Sequence, residues 1–275
     1  MRASTFFEGV HQMEVPLGDR SLKVPVFYYD GSAMTAVFPA RLSALRRWMP
    51  DRRFVPARLA PGVGAVTITC FEYRETDIDP YNELAIAVPL NEPFSRPNLP
   101  GRAMLGAARR GQYDVWVHHL PVTTDLACRG GVEFYNYPKF VGSIEFEEQG
   151  SRRRCRLGEG DETILTLDGP LVATPGQGET QLFSHLWMDR QPQSSEFKLN
   201  VLAGGRALRP GSAWIELGAS HPIARELDGL VISRRAIYYE LLARFEGILY
   251  GPDHLSLPLI QRAAALIEPG LPAAR

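Results

Sequence analysis

Of the 30 basic residues in this 275-residue chain, 27 are arginine; the lysines are Lys23, Lys139 and Lys198. Arginine serves as well as lysine for a solvated charge but stays protonated, so a lysine kept in such a chain is a candidate for chemistry that needs a free amine. Lys139 is singled out by its surroundings. It lies in Gly130-Gly131-Val132-Glu133-Phe134-Tyr135-Asn136-Tyr137-Pro138-Lys139-Phe140-Val141-Gly142, among aromatic and aliphatic residues, with Glu133 the only other charge in the stretch. Apolar surroundings disfavour an ammonium and so favour the neutral, nucleophilic form. A free lysine of pKa ~10.4 is only about 0.04% neutral at pH 7. Lowering such a value to ~6–7 makes roughly half the amine nucleophilic and costs about 5 kcal/mol of differential solvation. The other reading is a lysine whose stem lies on apolar surface while its amine snorkels to water. The residues alone leave both open.

Other chemistry-bearing residues point less far. His118-His119 invites a metal, but neighbours on a strand face opposite sides, which predicts one core and one outward histidine rather than a chelate. There is no H-E-x-x-H or H-x-H, and His11, His185, His221 and His254 lie in unrelated contexts, so no metal site is expected. Cys70, Cys128 and Cys155 are odd in number and far apart, which argues against a disulfide framework and fits a reducing compartment. Pro61-Gly62-Val63-Gly64 and Ala203-Gly204-Gly205-Arg206 lack the features of phosphate loops and read as hairpin turns. Arg152-Arg153-Arg154-Cys155-Arg156 follows Glu147-Glu148-Gln149-Gly150 and reads as a hairpin with a solvated charged tip. Ser184-His185 and Ser220-His221 lack a G-x-S-x-G elbow, so a serine hydrolase is unsupported.

The elements that must position Lys139 are mostly strands. Short apolar segments recur between turn residues at 63–71, 84–90, 113–119, 154–157, 163–167, 181–187, 197–202 and 213–217, several of them alternating, as in Val66-Thr67-Ile68-Thr69-Cys70-Phe71. Helical spacing is confined to 39–49, where Leu42, Leu45 and Met49 share a face before Pro50, to 101–110, to 234–245 with Ile237, Leu241, Leu242 and Phe245, and to 256–267. The pattern predicts an α+β fold: an antiparallel, barrel-like β-sheet with a few peripheral helices, closed or nearly closed, which removes exposed edges. Residues 1–275 are expected to form a single domain. A net charge of -1 provides no basic field for nucleic acid. Glu8 interrupts the N-terminus before a signal-peptide core builds up, and no apolar run approaches the ~20 residues of a membrane span. A soluble cytoplasmic protein is expected, without nucleic-acid or membrane partners.

Gly131-Val132-Glu133-Phe134-Tyr135-Asn136-Tyr137-Pro138-Lys139 resembles the acetoacetate decarboxylase family, whose pattern runs Gly, variable, Glu, an aromatic stretch, then Pro-Lys. Upstream, Asp79-Pro80-Tyr81-Asn82-Glu83-Leu84-Ala85-Ile86-Ala87-Val88-Pro89 is similar to the family strand that carries an active-site glutamate. Segments 113–119 and 213–227, and the helix around Ala44-Leu45-Arg46-Arg47, extend the likeness over about residues 20–250. The resemblance implies a barrel with a buried pocket, Lys139 as a Schiff-base lysine, and Glu83 and Glu133 as pocket carboxylates. Tyr135, Tyr137, Phe140 and His118 are the expected substrate-binding residues. Two positions depart from the family. Phe140 stands where its best-known members have a second lysine, so desolvation must act without a neighbouring cation. Tyr28-Tyr29-Asp30-Gly31-Ser32-Ala33 offers no arginine where typical members meet the substrate carboxylate.

The chemistry expected from this resemblance is a carbon–carbon lyase acting on a small-molecule keto acid, foremost decarboxylation of a 3-oxo acid through a lysine imine, with no cofactor and no metal. The same imine serves an aldolase-dehydratase or hydratase on 2-oxo acids, and a non-catalytic ligand-binding barrel is the alternative outside enzymes. Were strand geometry to persist from Glu133 to Lys139, their spacing of six would set both on one face with Tyr135 and Tyr137. The family also implies a homo-oligomer.

Overall fold

Alternation in the apolar segments is realised as long strands that wrap into a barrel. The computed structural model describes residues 4–91, 98–188 and 190–252. Seven strands close the ring: β3 (Val26–Arg41), β5 (Val63–Thr76), β6 (Tyr81–Pro89), β7 (Gln112–His119), β11 (Thr174–Met188), β12 (Gln191–Ala207) and β14 (Tyr238–Leu249). Their order is β3-β14-β12-β11-β7-β6-β5, and β5 pairs back to β3. A short β4 (Arg58–Ala60) adds to β5 through the hairpin expected at Gly62. The expected fold class holds, with one correction: the barrel is mixed, because β7 pairs with β11 in parallel. A parallel neighbour needs a long connection, and the chain between these strands makes one, building three of the four strands of a second sheet before it returns.

That second sheet has the order β13-β10-β9-β8, from β8 (Ser143–Gln149), β9 (Arg152–Glu159), β10 (Glu162–Pro170) and β13 (Trp214–Leu217). It covers the outside of the barrel. Two apolar cores result. The outer one packs Met34, Phe38, Ile68, Leu84 and Ile86 of the barrel against Ile144, Leu157, Ile164 and Leu167 of the second sheet. The inner one fills the barrel with Tyr28, Phe71, Tyr73, Tyr81, Val117, Leu186, Phe197 and Phe245. A ribbon of β1 (Met13–Leu17) and β2 (Arg20–Val24) adds Val15, Leu17 and Leu22 to the inner core.

The helices are α1 (Leu42–Trp48), α2 (Arg102–Arg110), α3 (Asp125–Tyr135) and α4 (Pro222–Leu230). The first two fall where spacing placed them, although Pro39–Arg41 belong to the end of β3. The expected helix at 234–245 is instead the start of β14. Tyr239 and Leu241 face the outer core while Leu242 and Phe245 face the inner one. The register shifts between Leu242 and Phe245, so a bulge turns strand alternation into a spacing of three that imitates a helix. The expected 256–267 helix lies outside the described residues. Ala203-Gly204-Gly205-Arg206 is not a turn but part of β12, where a Cβ on Gly205 would lie 2.6 Å from the Val172 carbonyl oxygen. The hairpin at Gly150 joins β8 to β9 as expected. Its arginines are not all solvated, however, since the Arg153 side chain is 7% exposed and pairs with Glu72 at 2.7 Å. Among the described residues no helix is long and apolar enough to cross a membrane.

Candidate active site

Strand β6 is buried on both faces, and its two-residue period sorts its side chains. Leu84, Ile86 and Val88 face the outer core; Tyr81, Ala85 and Ala87 face the barrel interior, and Glu83 shares their face. The backbone beside Glu83 pairs with residue 122 rather than with β7: the Leu84 N–H donates to the Pro121 carbonyl at 3.0 Å, and Glu83 bridges Val122. Val122 in turn bridges Val141, with the Val122 N–H donating to Phe140 and the Gly142 N–H to Val122. Two short extended pieces, 120–122 and 138–142, thus lie side by side next to Glu83 and set Lys139 across from it.

Helix α3 supplies the floor for the lysine. Thr124 caps its start by accepting the Ala127 N–H, and Asn136 ends it in the left-handed conformation with φ 50°. Its Ala127, Phe134 and Tyr135 pack into the inner core. Where the Lys139 stem crosses the helix, the residue is Gly131, and a Cβ there would come within 2.4 Å of both Cδ and Cε. The glycine in the Gly-x-Glu pattern is therefore a slot for the lysine.

The Lys139 side chain is 6% exposed, and its Nζ donates to Glu83 Oε2 at 2.6 Å, Glu83 itself being 10% exposed. Nζ lies 5.7 Å from the centre of the Tyr81 ring and 5.9 Å from that of Tyr137. Tyr73 Oη donates to the other Glu83 oxygen, Oε1, at 3.4 Å, and Tyr28 and Tyr81 share a hydrogen bond at 3.0 Å. Ser184 donates to the Ser195 carbonyl at 3.3 Å, which leaves Tyr137 Oη to donate to Ser184 at 2.5 Å. Tyr135 stacks on Tyr137 with ring centres 5.3 Å apart, and its buried hydroxyl has no hydrogen-bond partner. Burial pushes the Tyr28, Tyr73, Tyr81 and Tyr135 phenols well above their usual range and Tyr137 up to about 12, so all five are neutral donors at ordinary pH. Of the two readings the residues leave open, the buried one holds, but a carboxylate rather than apolar groups alone faces the amine. Lys23 is exposed, and Lys198 pairs with Glu179 at 2.9 Å.

The structure brings Lys139, Glu83, Tyr135 and Tyr137 together and leaves three expected residues out. Glu133 is on α3, not on a strand, so the spacing of six does not align it with Lys139; it is 52% exposed with Arg129 at 4.0 Å. Phe140 packs on the outer core, because in an extended segment it faces away from Lys139. His118 lies outside the barrel with Trp116, where it stacks on Trp48 of α1. Two cavities, of about 540 and 330 Å³, open elsewhere, beside Thr174 and Arg206 and beside Glu72 and Arg153. Tyr81 was within reach of sequence reasoning, two residues before Glu83 on the same face. Tyr28, Tyr73 and Ser184 had no local signal, since each reaches the site only through barrel closure.

Known structures share this architecture. An acetoacetate decarboxylase from Legionella pneumophila subsp. pneumophila str. Philadelphia 1 superimposes with a TM-score of 0.57 at 14% identity, covering 87% of this chain and 91% of that one. The enduracididine biosynthesis enzyme MppR, complexed with the condensation product of pyruvate and imidazole 4-carboxaldehyde, gives 0.58 at 14% identity, covering 89% and 97%. Another acetoacetate decarboxylase structure gives 0.56 at 14% identity over 82% and 87%. At this identity the likeness is one of fold. No curated protein matches the chain by sequence. The profile of the family described as acetoacetate decarboxylase matches residues 14–204, more than two thirds of the chain. With that span enclosing β6, α3 and the lysine segment, the chain belongs to the acetoacetate decarboxylase family.

Proposed function

We propose that this protein is an imine-forming carbon–carbon lyase that decarboxylates a small 3-oxo acid, with Lys139 as nucleophile and Glu83 as proton carrier. The observation that carries this reading is the 2.6 Å contact between a nearly inaccessible lysine and a nearly inaccessible carboxylate inside a ring of tyrosines. Moving one proton from Nζ to Oε2 along that contact leaves an amine that attacks the ketone carbon. The carbinolamine loses water to give a protonated imine. The bond between Cα and the carboxylate then breaks, its electron pair passes to the imine nitrogen, and CO2 leaves from an enamine. The proton that Glu83 took from Nζ leaves with the carbinolamine hydroxyl as water, so Glu83 takes a second proton from solvent and delivers it to the enamine carbon. Water then hydrolyses the resulting imine to release ketone and Lys139. Aromatic walls favour neutral CO2 over the carboxylate it comes from. The unpartnered Tyr135 hydroxyl is the free donor for a substrate oxygen.

Borohydride trapping tests the reading. With a panel of 3-oxo and 2-oxo acids, reduction is expected to add substrate-derived mass to Lys139 and to neither Lys23 nor Lys198, as read by peptide mass spectrometry. Lys139→Arg is expected to abolish both trapping and turnover, because arginine stays protonated. Turnover retained in that variant would reject imine catalysis. Release of CO2 from a lone keto acid identifies a decarboxylase; a requirement for an aldehyde partner identifies the aldolase-dehydratase chemistry instead.

A further inference from the structure

The expectation that His118 and His119 point apart is overturned by the strand that carries them. Along β6 and β7 the register runs Val88 to Trp116 and Ala87 to Val117, then jumps to Ile86 opposite His119, leaving His118 as an extra residue. Such a bulge re-aims side chains, and here both imidazoles turn outward to one partner on α4. His118 Nε2 lies 3.2 Å from Glu226 Oε1, and His119 Nε2 lies 2.9 Å from Glu226 Oε2. One ligand atom from each residue falls within a sphere of contacts no wider than 4.8 Å. The indole of Trp48 lies flat on the His118 ring at 3.9 Å with planes 8° apart, and meets the His119 ring edge-on at 6.5 Å. All three donors are partly exposed, so an ion reaches them from solvent.

We propose that His118, His119 and Glu226 form a binding site for a divalent transition ion of the zinc class, which clasps α4 to the outer wall of the barrel. Two imidazole nitrogens and a carboxylate are a donor set for such an ion, with water in the fourth position. Zinc–nitrogen bonds of 2.0–2.1 Å in a tetrahedron put ligand atoms roughly 3.3 Å apart. The two nitrogen–oxygen separations, 3.2 and 2.9 Å, are already near that value, and side-chain torsion brings the nitrogens together. The bulge fixes one pair of ligands and the Trp48 ring holds the first of them in plane. The site lies on the opposite side of the sheet from Lys139, so it stands apart from the lyase reading.

The test uses the full chain without a polyhistidine tag, stripped with chelator and dialysed. Calorimetric titration with Zn²⁺ is expected to show one equivalent bound with a Kd on the order of 1 μM or tighter. Co²⁺ should give visible d–d bands and quench part of the tryptophan emission through Trp48. Saturating Zn²⁺ should raise the thermal midpoint by several degrees. His119→Ala and Glu226→Gln should each weaken Zn²⁺ binding at least ~30-fold and remove the thermal shift, whereas His185→Ala should leave both unchanged. Glu226→Gln keeps the side-chain shape and carries the test should an alanine variant fail to fold. Absence of Zn²⁺ binding at ~100 μM, or binding that survives the His118→Ala/His119→Ala double variant, would overturn the proposal and leave Glu226 as a simple ion-pair partner.

Discussion

At the level of single residues, the contacts of Lys139 divide labour between one carboxylate and several phenols. Glu83 alone among them touches Nζ at hydrogen-bond distance, and Tyr73 holds its other oxygen. Glu83→Gln keeps the shape and the Tyr73 contact but removes the proton acceptor. It is expected to lower kcat by about 10²–10⁴, the usual size of a general acid–base contribution, in steady-state assays with any substrate that traps on Lys139. Tyr135 and Tyr137 stack on each other yet differ in their hydroxyls, one unpartnered and the other tied to Ser184. Tyr135→Phe should therefore raise KM by about fivefold with little change in kcat, since it deletes the proposed hydrogen bond of about 1 kcal/mol to bound substrate and none within the protein. Equal losses in kcat and kcat/KM would show that this hydroxyl serves the transition state instead.

Among the elements, α3 and its glycine slot decide whether the lysine can enter. In a helix, alanine is favoured over glycine by about 1 kcal/mol. At position 131 that gain opposes function, because the new methyl would occupy the place of Lys139 Cδ and Cε. Gly131→Ala is expected to hold or raise the thermal midpoint while borohydride trapping on Lys139 falls at least about 100-fold; normal trapping would mean that the stem can be rerouted. This helix was also the element least legible in the sequence. Gly130-Gly131-Val132 has low helix propensity; the N-cap Thr124 sits well upstream of the aromatic stretch that singles out Lys139, and the C-cap Asn136 is lost among the aromatic residues of that stretch. The resemblance implies a pocket role for Glu133, and only a strand over 133–139 would set it beside the lysine, whereas the helix through Tyr135 sends it to solvent. Strand alternation, by contrast, was readable wherever one residue faced each core, as in β5 and β7. It failed in β14 and at His118-His119 for a shared reason: a bulge changes the period locally, and nothing in residue type announces it. Glu83 came from the resemblance, and Tyr81 shares its face by simple alternation. The remaining tyrosines depend on which strands become neighbours.

For the molecule as a whole, the second sheet and the barrel are joined by a polar contact as well as by the outer core. Arg153 of β9 reaches across to Ser32 of β3 at 2.8 Å and Glu72 of β5 at 2.7 Å, with Arg74 also on Glu72 at 2.9 Å. Burial pushes the Glu72 carboxyl up, but the guanidinium groups and the Ser32 hydroxyl outweigh it and hold the carboxyl below its ordinary value. A depressed carboxyl binds its proton less readily in the folded state than in the unfolded one. Its contribution is thus present above the unfolded value near ~4.3 and is lost as pH falls through the folded one. Glu72→Gln should cost about 2–3 kcal/mol in denaturant unfolding at pH 7, because it leaves a buried guanidinium with only Ser32 and the more distant Glu148, and the difference should shrink as the pH drops below ~4. A penalty that is constant with pH would assign the loss to packing.

The double burial of β6 has a consequence for how this enzyme could be altered. Its carboxylate Glu83 and its Leu84 are successive beads on one string, so the wall of the proposed reaction site is also the floor of the neighbouring sheet. Trimming or enlarging a side chain such as Leu157 or Ile164, remote from any reactant, would tilt that string and move Glu83 relative to Lys139. On the proposed reading of Glu83 as proton carrier, variation in the covering sheet is thereby a dial on proton transfer, operated from a layer the substrate would never meet.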